Sequence, residues 1–426
     1  MRILVIGRGG REHAICWALN KSTQVKKLYC APGNAGIGEV AELVAIQEMD
    51  FEAIAEFALD HGIHLVVVGP DDPLSEGIVD ALEQHKILVF GPRKNAAQIE
   101  GSKVFAKNLM KKYKIPTAAY ETFDEYEPAI AYVREQGAPI VIKADGLAAG
   151  KGVIVAQTIE EAESALQTVM LDRKFGSAGN RVVIEEFMTG QEMSLLAFVD
   201  GEVVRPMVPS QDHKPAFDGD LGPNTGGMGT YSPVPHIPQS IVDEAIQTIL
   251  IPCAKAMVAE GCSFRGVLYA GLMITPTGPR TVEFNARFGD PETQVILSRL
   301  ETDLADIFMA SVNGRLADID IQWSKDAACC VIMASEGYPE AYPKGRVISG
   351  LDHVEEAVVF HAGTASKDGQ IVTNGGRVLG VTARGTDFAE ARAKAYAAVS
   401  QIQFDGAHYR KDIALKAMKA AGLVEA

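Results

Sequence analysis

Short apolar runs alternate with helical patterns over the first hundred residues of the chain. The apolar runs, which predict buried strands, lie at 2–6, 27–30, 64–68 and 87–90. The helical patterns between them lie at 11–20, 51–60 and 75–84. This alternation predicts a parallel, doubly wound sheet, in which ligands bind outside the carboxyl ends of the strands.

The pattern changes after about residue 103 and again near 323–326. Further strands are predicted at 139–144, 152–156, 181–187, 193–199, 327–333, 358–361 and 377–383, and a hairpin at 266–275 with 280–287. Segment 210–233 is polar and rich in glycine, and it predicts a long loop. The chain is therefore expected to be an α/β protein with domains at 1–103, 104–326 and 327–426.

Composition narrows the class of protein. Of the residues, 47% are hydrophobic and 22% are charged, a composition typical of soluble globular proteins. The chain has 426 residues and is therefore too long for a single hydrophobic core. The net charge of -15 disfavours nucleic acid and anionic membranes as partners. Six cysteines without a C-x-x-C pair, and apolar runs far shorter than a membrane span of ~20 residues, favour a cytoplasmic protein.

The first glycine motif follows the first predicted strand and opens a helix. Gly7 and Gly9 fit the G-x-G-x-x-G fingerprint of dinucleotide-binding proteins, but Glu12 stands at the third position. The second predicted strand also ends without the carboxylate that would bind a ribose, so a dehydrogenase is the least favoured function. Free amides at a helix N-terminus still suit a phosphate group. The alternative is a tight turn without a ligand.

The second glycine motif, at 143–152, lies between two predicted strands. It is not a Walker A sequence, because Gly146 and Gly150 are one residue too close and Gly152 replaces the Ser or Thr. A glycine loop between strands can still close over phosphates with its amides, and Lys143 can add a charge. The alternative is an ordinary hairpin with surface lysines.

Polar residues on one face of the 280–287 strand suggest a metal and phosphate site. Glu283, Asn285 and Arg287 are two residues apart, so they share a face, and two oxygen ligands beside a cation suit magnesium and a phosphate chain. The alternative is a solvated polar face. At 185–187 a strand end with two carboxylates can hold an adenine edge. Glu192 can accept from ribose hydroxyls, and loop 212–229 offers several amides to a ligand.

Four motifs, GRGGREHA, KADGLAAGKGV, DHKPAFDGDLGPNTGGMG and EFNARFGDPETQ, occur in that order. Together with NGGRVLGV at 374–381 and YRKDI at 409–413, they resemble the glycinamide ribonucleotide synthetase family of the ATP-grasp ligases. The resemblance implies an N-terminal doubly wound (pre-ATP-grasp) domain, a two-lobed ATP-grasp with a mobile lid lobe at about 123–192, and a small C-terminal α/β domain. It also implies a monomer or weak homodimer.

The implied reaction joins glycine to 5-phosphoribosylamine through glycyl phosphate and consumes ATP, with Mg²⁺ or Mn²⁺, in purine biosynthesis. The resemblance places the catalytic roles on Arg287, Lys214 and Asp212, and the metal on Glu283 and Asn285. It places ATP on Lys103, Lys143, Gly150, Lys151, Gly152, Glu185, Glu186, Phe187 and Glu192. It places the substrates on Gly9, Gly10, Asn224, Thr225, Gly226, Gly227 and Met228.

Two residues depart from the family pattern. Pro215 stands where the family typically has Arg, which removes a charge and a backbone donor, and Asp71 stands where Glu is usual. Two other functions remain open on the residues alone. One is an ATP-grasp carboxylase that activates bicarbonate, and the other is a nucleotide-binding regulator without turnover.

Overall fold

The computed structural model describes residues 1–146 and 152–425, and it confirms the α/β class. The N-terminal strands are β1 (Arg2–Gly7), β2 (Lys27–Pro32), β3 (Glu42–Leu43), β4 (Leu65–Val68) and β5 (Val89–Phe90). They form a parallel sheet in the order β3-β2-β1-β4-β5, as the alternating pattern predicts. The helices between and after them are α1 (Gly10–Asn20), α2 (Phe51–Asp60), α3 (Asp71–Glu76), α4 (Ile78–Gln84) and α5 (Lys94–Gly101).

One helix predicted in this region is two helices. The segment 75–84 is divided between α3 and α4, because Gly77 has φ +94°, a left-handed conformation that ends α3. The N-terminal sheet is buried on both faces, since the side chains of β1 and β4 are covered by helices on either side.

The middle of the chain contributes two antiparallel sheets. The first has the order β6-β9-β7-β8. Its parts are α6 (Lys103–Tyr113), which precedes it, β6 (Tyr120–Phe123), α7 (Tyr126–Gln136), β7 (Ile140–Ala144), β8 (Val153–Ala156), α8 (Ile159–Leu166) and β9 (Val182–Glu186). The side chains of α7, α8 and these strands form a hydrophobic core of their own.

The second middle sheet has the order β11-β10-β16-β17. The elements from β10 to α12 are β10 (Gln191–Asp200), β11 (Val203–Pro206), β12 (Gln211–Asp212), β13 (Pro215–Phe217), β14 (Leu221–Asn224), β15 (Gly229–Ser232), α9 (Gln239–Ala245), α10 (Ile251–Ala259), β16 (Arg265–Thr275), β17 (Gly278–Asn285), α11 (Glu292–Arg299) and α12 (Leu304–Val312). A π-helical turn at 246–250 joins α9 to α10.

The loop predicted at 210–233 is wrong, because this segment contains the four short strands from β12 to β15. Strands β13 and β14 pair as a hairpin, whereas β12 and β15 join the C-terminal sheet in the order β12-β15-β18-β22-β19. The remaining elements are β18 (Ala327–Ala334), β19 (Val358–His361), β20 (Thr364–Lys367), β21 (Gln370–Thr373), β22 (Arg377–Gly385), α13 (Phe388–Gln401) and α14 (Leu415–Ala420). A segment of the middle region therefore belongs to a C-terminal sheet.

No helix in the described ranges has both the length and the apolar character to cross a membrane.

Candidate functional site

Strands β7 and β9 and helix α6 bring together three of the predicted ATP-binding residues, beside strand β17 of the second middle sheet. Lys143 on β7 is 3% exposed, and its Nζ donates to the carbonyl of Val282 on β17 at 3.0 Å. The same Nζ lies 3.1 Å from Glu185 Oε1 on β9. Lys103, at the start of α6, donates from Nζ to the carbonyl of Gly146 at 2.8 Å. The lysine charges thus face the space between the two sheets.

A second lysine shares the carboxylate of Glu185, and the sequence reasoning missed it. Lys107 Nζ on α6 lies 3.2 Å from Glu185 Oε2 and donates to Thr117 Oγ1 at 2.8 Å. Burial lowers the pKa of Lys107 to about 8, against the charge of Glu185. The only sequence signal was a lysine on the apolar side of a predicted helix. Glu185 is therefore a buried carboxylate held between two lysines.

The other predicted adenine and ribose residues lie closer to the surface. Glu186 accepts from the amide of Ala119 and pairs with Arg280, and Phe187 is 38% exposed. Glu192 is exposed on β10, next to Met273 of β16. Gly152 lies just before β8, and its carbonyl accepts from the amide of Ala144. Gly150 and Lys151 lie outside the described residues.

Glu283 on β17 is a carboxylate surrounded by positive charges. Burial raises its pKa, but the charges of Lys214, Lys143, Lys103 and Arg287 act against burial, and the net shift is downward. Glu283 therefore stays ionised well below neutral pH. Two residues further on, the Oδ1 atom of Asn285 is 3.4 Å from Arg287 Nη2. The predicted shared face of Glu283, Asn285 and Arg287 is thus present.

Arg287 is oriented by Glu100, a residue that the sequence reasoning did not single out. Arg287 Nη2 lies 2.8 Å from Glu100 Oε1, while Glu100 Oε2 accepts from the amide of Ala286 at 2.8 Å. Burial raises the pKa of Glu100 although the charge of Arg287 opposes this. Burial opposes a rise in the pKa of Arg287, but the charge of Glu100 together with those of other acidic groups outweighs burial and raises this pKa. The pair fixes a cation beside the Glu283 face.

Asp212 and Lys214 lie at the edge of the C-terminal sheet, near the same carboxylate. Burial, and next the charge of Glu292, raise the pKa of Asp212, whose Oδ1 has no hydrogen-bond partner in the part of the chain that is described. Burial opposes protonation of Lys214, but the surrounding carboxylates, Glu192 first and then Glu283, together outweigh burial and raise the pKa of Lys214. Glu292 itself accepts from the hydroxyl of Tyr269 at 2.7 Å.

The turn at 224–229 is fixed by its own hydrogen bonds and by Arg377. Thr225 donates from its amide to the carbonyl of Lys214 at 2.8 Å and from Oγ1 at 2.7 Å. Arg377 Nη1 on β22 donates to the carbonyl of Gly226 at 2.8 Å and to that of Asp290 at 2.7 Å. Gly227 has φ +117°, and a Cβ there would lie 2.6 Å from Asp212 Oδ1, so only glycine fits.

Two other residues of this turn differ from each other in exposure. Asn224 is exposed at the end of β14. The side chain of Met228 is fully buried, so only the Met228 backbone could contact a substrate. The Met228 amide donates to the carbonyl of His213, and the Met228 carbonyl accepts from the amide of Ile332. Arg377, which orders the turn, was missed as a site residue although it lies in the NGGRVLGV motif.

The N-terminal glycine turn lies beside this group and already has carboxylate partners. The amide of Gly9 donates to Glu12 Oε2 at 2.6 Å, and the amide of Arg11 donates to Asp290 Oδ2 at 3.3 Å. A Cβ on Gly10 would lie 2.7 Å from Gln294 Nε2, so the turn packs closely against α11. The predicted phosphate contacts of Gly9 and Gly10 thus remain a prediction, in a turn lined by two carboxylates.

These residues form two adjoining groups that can do different chemistry. Lys103, together with Lys143 and Lys107 beside Glu185, can neutralise a polyphosphate between the two middle sheets. Asp212, Glu292, Lys214 and Arg377 can hold a small zwitterion such as an amino acid. Glu283 lies between the groups, because its charge acts on lysines of both.

Comparisons with known proteins identify the family of the chain. Three family profiles match in succession: the N domain of phosphoribosylglycinamide synthetase at residues 1–100, its ATP-grasp (A) domain at residues 101–293 and its C domain at residues 328–416. The phosphoribosylamine–glycine ligase of Halalkalibacterium halodurans is 52% identical to the chain, over 98% of the chain and 97% of its own length. That of Caldanaerobacter subterraneus subsp. tengcongensis is 51% identical, over 97% of the chain and 99% of its own length.

Solved structures support the same relationship. The phosphoribosylamine–glycine ligase of Thermotoga maritima has a TM-score of 0.84 at 36% identity, over 97% of the chain and 100% of its own. The biotin carboxylase domain of the Hydrogenobacter thermophilus 2-oxoglutarate carboxylase has a TM-score of 0.74 at 16% identity, over 99% and 93%. At this low identity, the biotin carboxylase domain is similar to the chain in fold only.

Proposed function

The chain belongs to the phosphoribosylglycinamide synthetase family and performs the ATP-dependent ligation of glycine to 5-phosphoribosylamine in purine biosynthesis, and from this premise we propose which of its side chains carry each step. The observation that carries the proposal is the position of Glu283, an ionised carboxylate among four cations and two residues from an amide oxygen. Such an arrangement suits the triphosphate of ATP more than it suits a solvated surface.

ATP is bound, in this proposal, between the two middle sheets. Lys103 and Lys143 contact its phosphates, and the end of β9 with Glu185 to Phe187 lies at the adenine. Lys107 holds Glu185 in place when Lys143 turns toward the phosphates. Glu192, Gly150, Lys151 and Gly152 complete the predicted contacts with ribose and phosphates.

The residues present fit a divalent metal of the Mg²⁺ or Mn²⁺ type. The described residues contain no group of three or more His, Cys, Asp or Glu arranged to hold a metal alone. Mg²⁺ binds through one or two carboxylates together with phosphate oxygens, so Glu283 and the amide oxygen of Asn285 are a suitable protein share. When bound, the ion would neutralise charge on the phosphates during transfer.

The ligation proceeds in two steps. The carboxylate of glycine attacks the γ-phosphate of ATP, and glycyl phosphate and ADP result. The amine of phosphoribosylamine then attacks the acyl carbon and loses a proton as the amide bond forms, and inorganic phosphate leaves. Asp212, buried and with an oxygen available, holds the glycine ammonium group, while Lys214 and Arg287 neutralise the transferring phosphoryl group.

Exclusion of water is the remaining requirement, since glycyl phosphate would otherwise hydrolyse. Residues 123–192 include a sheet with its own hydrophobic core, which supports the proposal that they close as a lid lobe. We also propose the domain boundaries near residues 103 and 327 that the sequence pattern predicts.

The assembly and location are also proposals. We expect a monomer or weak homodimer, as the resemblance to the family implies. The six cysteines are free and buried, which supports a reducing cytoplasm.

The assay that tests the proposed function measures ADP release from ATP and Mg²⁺, with glycine and fresh phosphoribosylamine added singly and together. We expect release to require both. Release that needs bicarbonate but not glycine would instead indicate a carboxylase, and no release with any acid would indicate a regulator.

The same assay tests the role of Glu283. Glu283→Gln removes one charge with little change of shape, so we expect turnover to fall at least about 10²-fold, the scale of losing an electrostatic transition-state contact. Glu202→Gln, an exposed carboxylate on the turn before β11, is the matched control and should behave as the parent protein. Near-normal turnover of Glu283→Gln would refute the assignment.

A further inference from the structure

The C-terminal segment 408–416 holds the hairpin formed by β13 and β14 through hydrogen bonds, and the buried side chain of Arg410 makes several of them. We propose that Arg410 and Asp412 are positioning residues for the ligation: they hold the hairpin 215–224 so that Lys214 and the turn at 224–229, at its two ends, meet the acceptor substrates. This inference rests on the proposed function of Lys214 and deepens it.

Arg410 is enclosed and fully engaged. It is 1% exposed, although it carries a charge. Its Nε and Nη2 bond to the two carboxylate oxygens of Asp412 at 2.7 and 2.6 Å. Nη1 donates to the carbonyl of Pro215 at 3.1 Å, and Nη2 also donates to Asp220 Oδ1 at 3.0 Å. One guanidinium therefore joins the C-terminal segment to the start of strand β13 and to the turn that follows it.

Neighbouring residues of the C-terminal segment make further hydrogen bonds with the hairpin. The amide of Lys411 donates to Asp218 Oδ1 at 2.7 Å, and Asp412 Oδ2 accepts from the amide of Gly219 at 2.9 Å. His408 Nε2 donates to the carbonyl of Ala216 at 2.8 Å. These bonds cover the hairpin from its first strand to its tip.

The hairpin has little else to define its conformation. A two-stranded hairpin is marginal by itself, and β14 is exposed along its whole length. The pairing of β13 with β14 is irregular between Pro215 and Phe217, and Pro215 has no N–H to donate. The contacts with segment 408–416 therefore decide where the hairpin lies.

The two ends of the hairpin lead straight into the site. Lys214 precedes β13, and Thr225 follows β14 and donates twice to the carbonyl of Lys214. A shift of the hairpin moves Lys214 and the turn at 224–229 together. Misplacement of a reacting group by about 1 Å lowers the rate by up to about 10²-fold, so loss of the hydrogen bonds from segment 408–416 should lower the rate of ligation.

The experiment uses the full-length chain and compares Arg410→Met with Arg384→Met. Arg384 is the control because it lies on β22 of the C-terminal sheet and bonds to the carbonyl of Ser298 and to Asp326, away from the hairpin. We expect Arg410→Met to lower kcat/KM for glycine and phosphoribosylamine about 10- to 100-fold, while the dissociation constant for ATP changes less than about twofold. Arg410→Lys, which keeps the charge but not the fork, should fall between the two.

The outcomes are distinct. Equal losses of melting temperature in both Met variants with unchanged kcat/KM would mean a purely structural arginine and overturn the proposal, as would a parallel loss of ATP affinity. If Arg410→Met does not fold, Asp220→Asn provides the test, because it weakens the same hydrogen bonds between segment 408–416 and the hairpin from a partly exposed position. We expect a severalfold loss of kcat/KM there, and an unchanged value overturns the proposal. Failure of the proposed function is recognised separately, since the parent protein would then show no glycine-dependent ADP release.

Discussion

At the level of single residues, the site is an arrangement of buried charges that are balanced in pairs. Isolated buried charges are costly, and pairing with hydrogen bonds reduces that cost. Glu185 is balanced by two lysines, Arg287 by Glu100, and Asp290 by Arg377. Burial raises the pKa of Asp290, but the charges of Arg377 and Arg11, with hydrogen bonds, together lower it. Because these groups are fixed before a ligand arrives, little reorganisation is needed when charge shifts during phosphoryl transfer.

The Glu100–Arg287 pair gives a prediction about catalysis. Glu100→Gln keeps an oxygen for the amide of Ala286 but removes the charge that orients Arg287. We expect kcat to fall about tenfold, with a dissociation constant for ATP within about twofold of the parent value. Steady-state kinetics and calorimetric titration with ATP measure the two quantities.

A second arginine–glutamate pair provides the control. Glu83 pairs with Arg93 at 2.6 Å on the surface, where such pairs contribute little. Glu83→Gln should leave kcat unchanged. Equal kcat values in the Glu100 and Glu83 variants would show that Arg287 needs no charged partner.

At the level of elements, the beginning of α6 connects helix formation with the ATP site. Ser102 Oγ accepts from the amide of Phe105 at 3.1 Å and donates to Asp145 Oδ1 at 3.1 Å. We predict that Ser102→Ala destabilises the protein by about 1 kcal/mol, the usual cost of a lost N-cap. It should also raise the KM for ATP, since Lys103 and Gly146 adjoin the broken contacts. Thermal unfolding and ADP release measure the two effects.

Thr158 is the matched cap for this experiment. It caps α8, whose side chains pack into the core of the β6-β9-β7-β8 sheet, by accepting from the amide of Glu161 at 3.2 Å. Thr158→Ala should cost similar stability and leave the KM for ATP unchanged. If both variants raise the KM equally, the contact between Ser102 and Asp145 has no special role.

Elements with a long, regular pattern could be predicted from the sequence, and short ones could not. The strands β1, β4, β7 and β18 are apolar runs, and each was expected where it lies. Strands β12 and β15 have only two and four residues among glycines and prolines, and β15 is defined by pairing with β18, about a hundred residues later. Such pairing leaves no periodicity in the local sequence.

The site divides in the same way. Glu283, Asn285 and Arg287 could be placed together because a strand brings alternate residues to one face. Lys107, Glu100 and Arg377 come from two helices and a distant strand, and a lone charged residue in an amphipathic pattern predicts a solvated face. Their contacts depend on how the helices and sheets pack, which the spacing of residues does not express.

At the level of the whole molecule, the N-terminal and C-terminal regions meet at a buried pair of histidines. The amide of His361 on β19 donates to His13 Nδ1 on α1 at 2.8 Å, and His361 Nδ1 lies 3.0 Å from Thr364 Oγ1. Burial, and next the charge of His361, lower the pKa of His13 to about 3. Burial lowers the pKa of His361 to about 4. Both rings are therefore neutral in the folded protein near neutral pH.

These pKa values predict how stability depends on pH. In the unfolded chain both histidines take up a proton below the ordinary pKa of about 6.5, while the folded protein keeps them neutral down to about pH 4. The unfolded state thus binds more protons between these limits, and the free energy of unfolding must fall as pH decreases through this window. At pH 5 the loss is about 2 kcal/mol for each histidine, and above pH 7 they contribute no pH dependence.

Replacing one ring tests this account. His13→Gln retains an acceptor for the amide of His361 but cannot titrate, so the melting temperature should fall less steeply between pH 7 and pH 5 than in the parent protein. His353→Gln removes an exposed histidine and should leave the slope unchanged. A variant that is merely destabilised would show a lower melting temperature at every pH with a parallel slope, and that result would assign the acid sensitivity to other groups. A flatter slope would identify the contact between the first helix and the C-terminal sheet as an acid-sensitive contact of the whole fold.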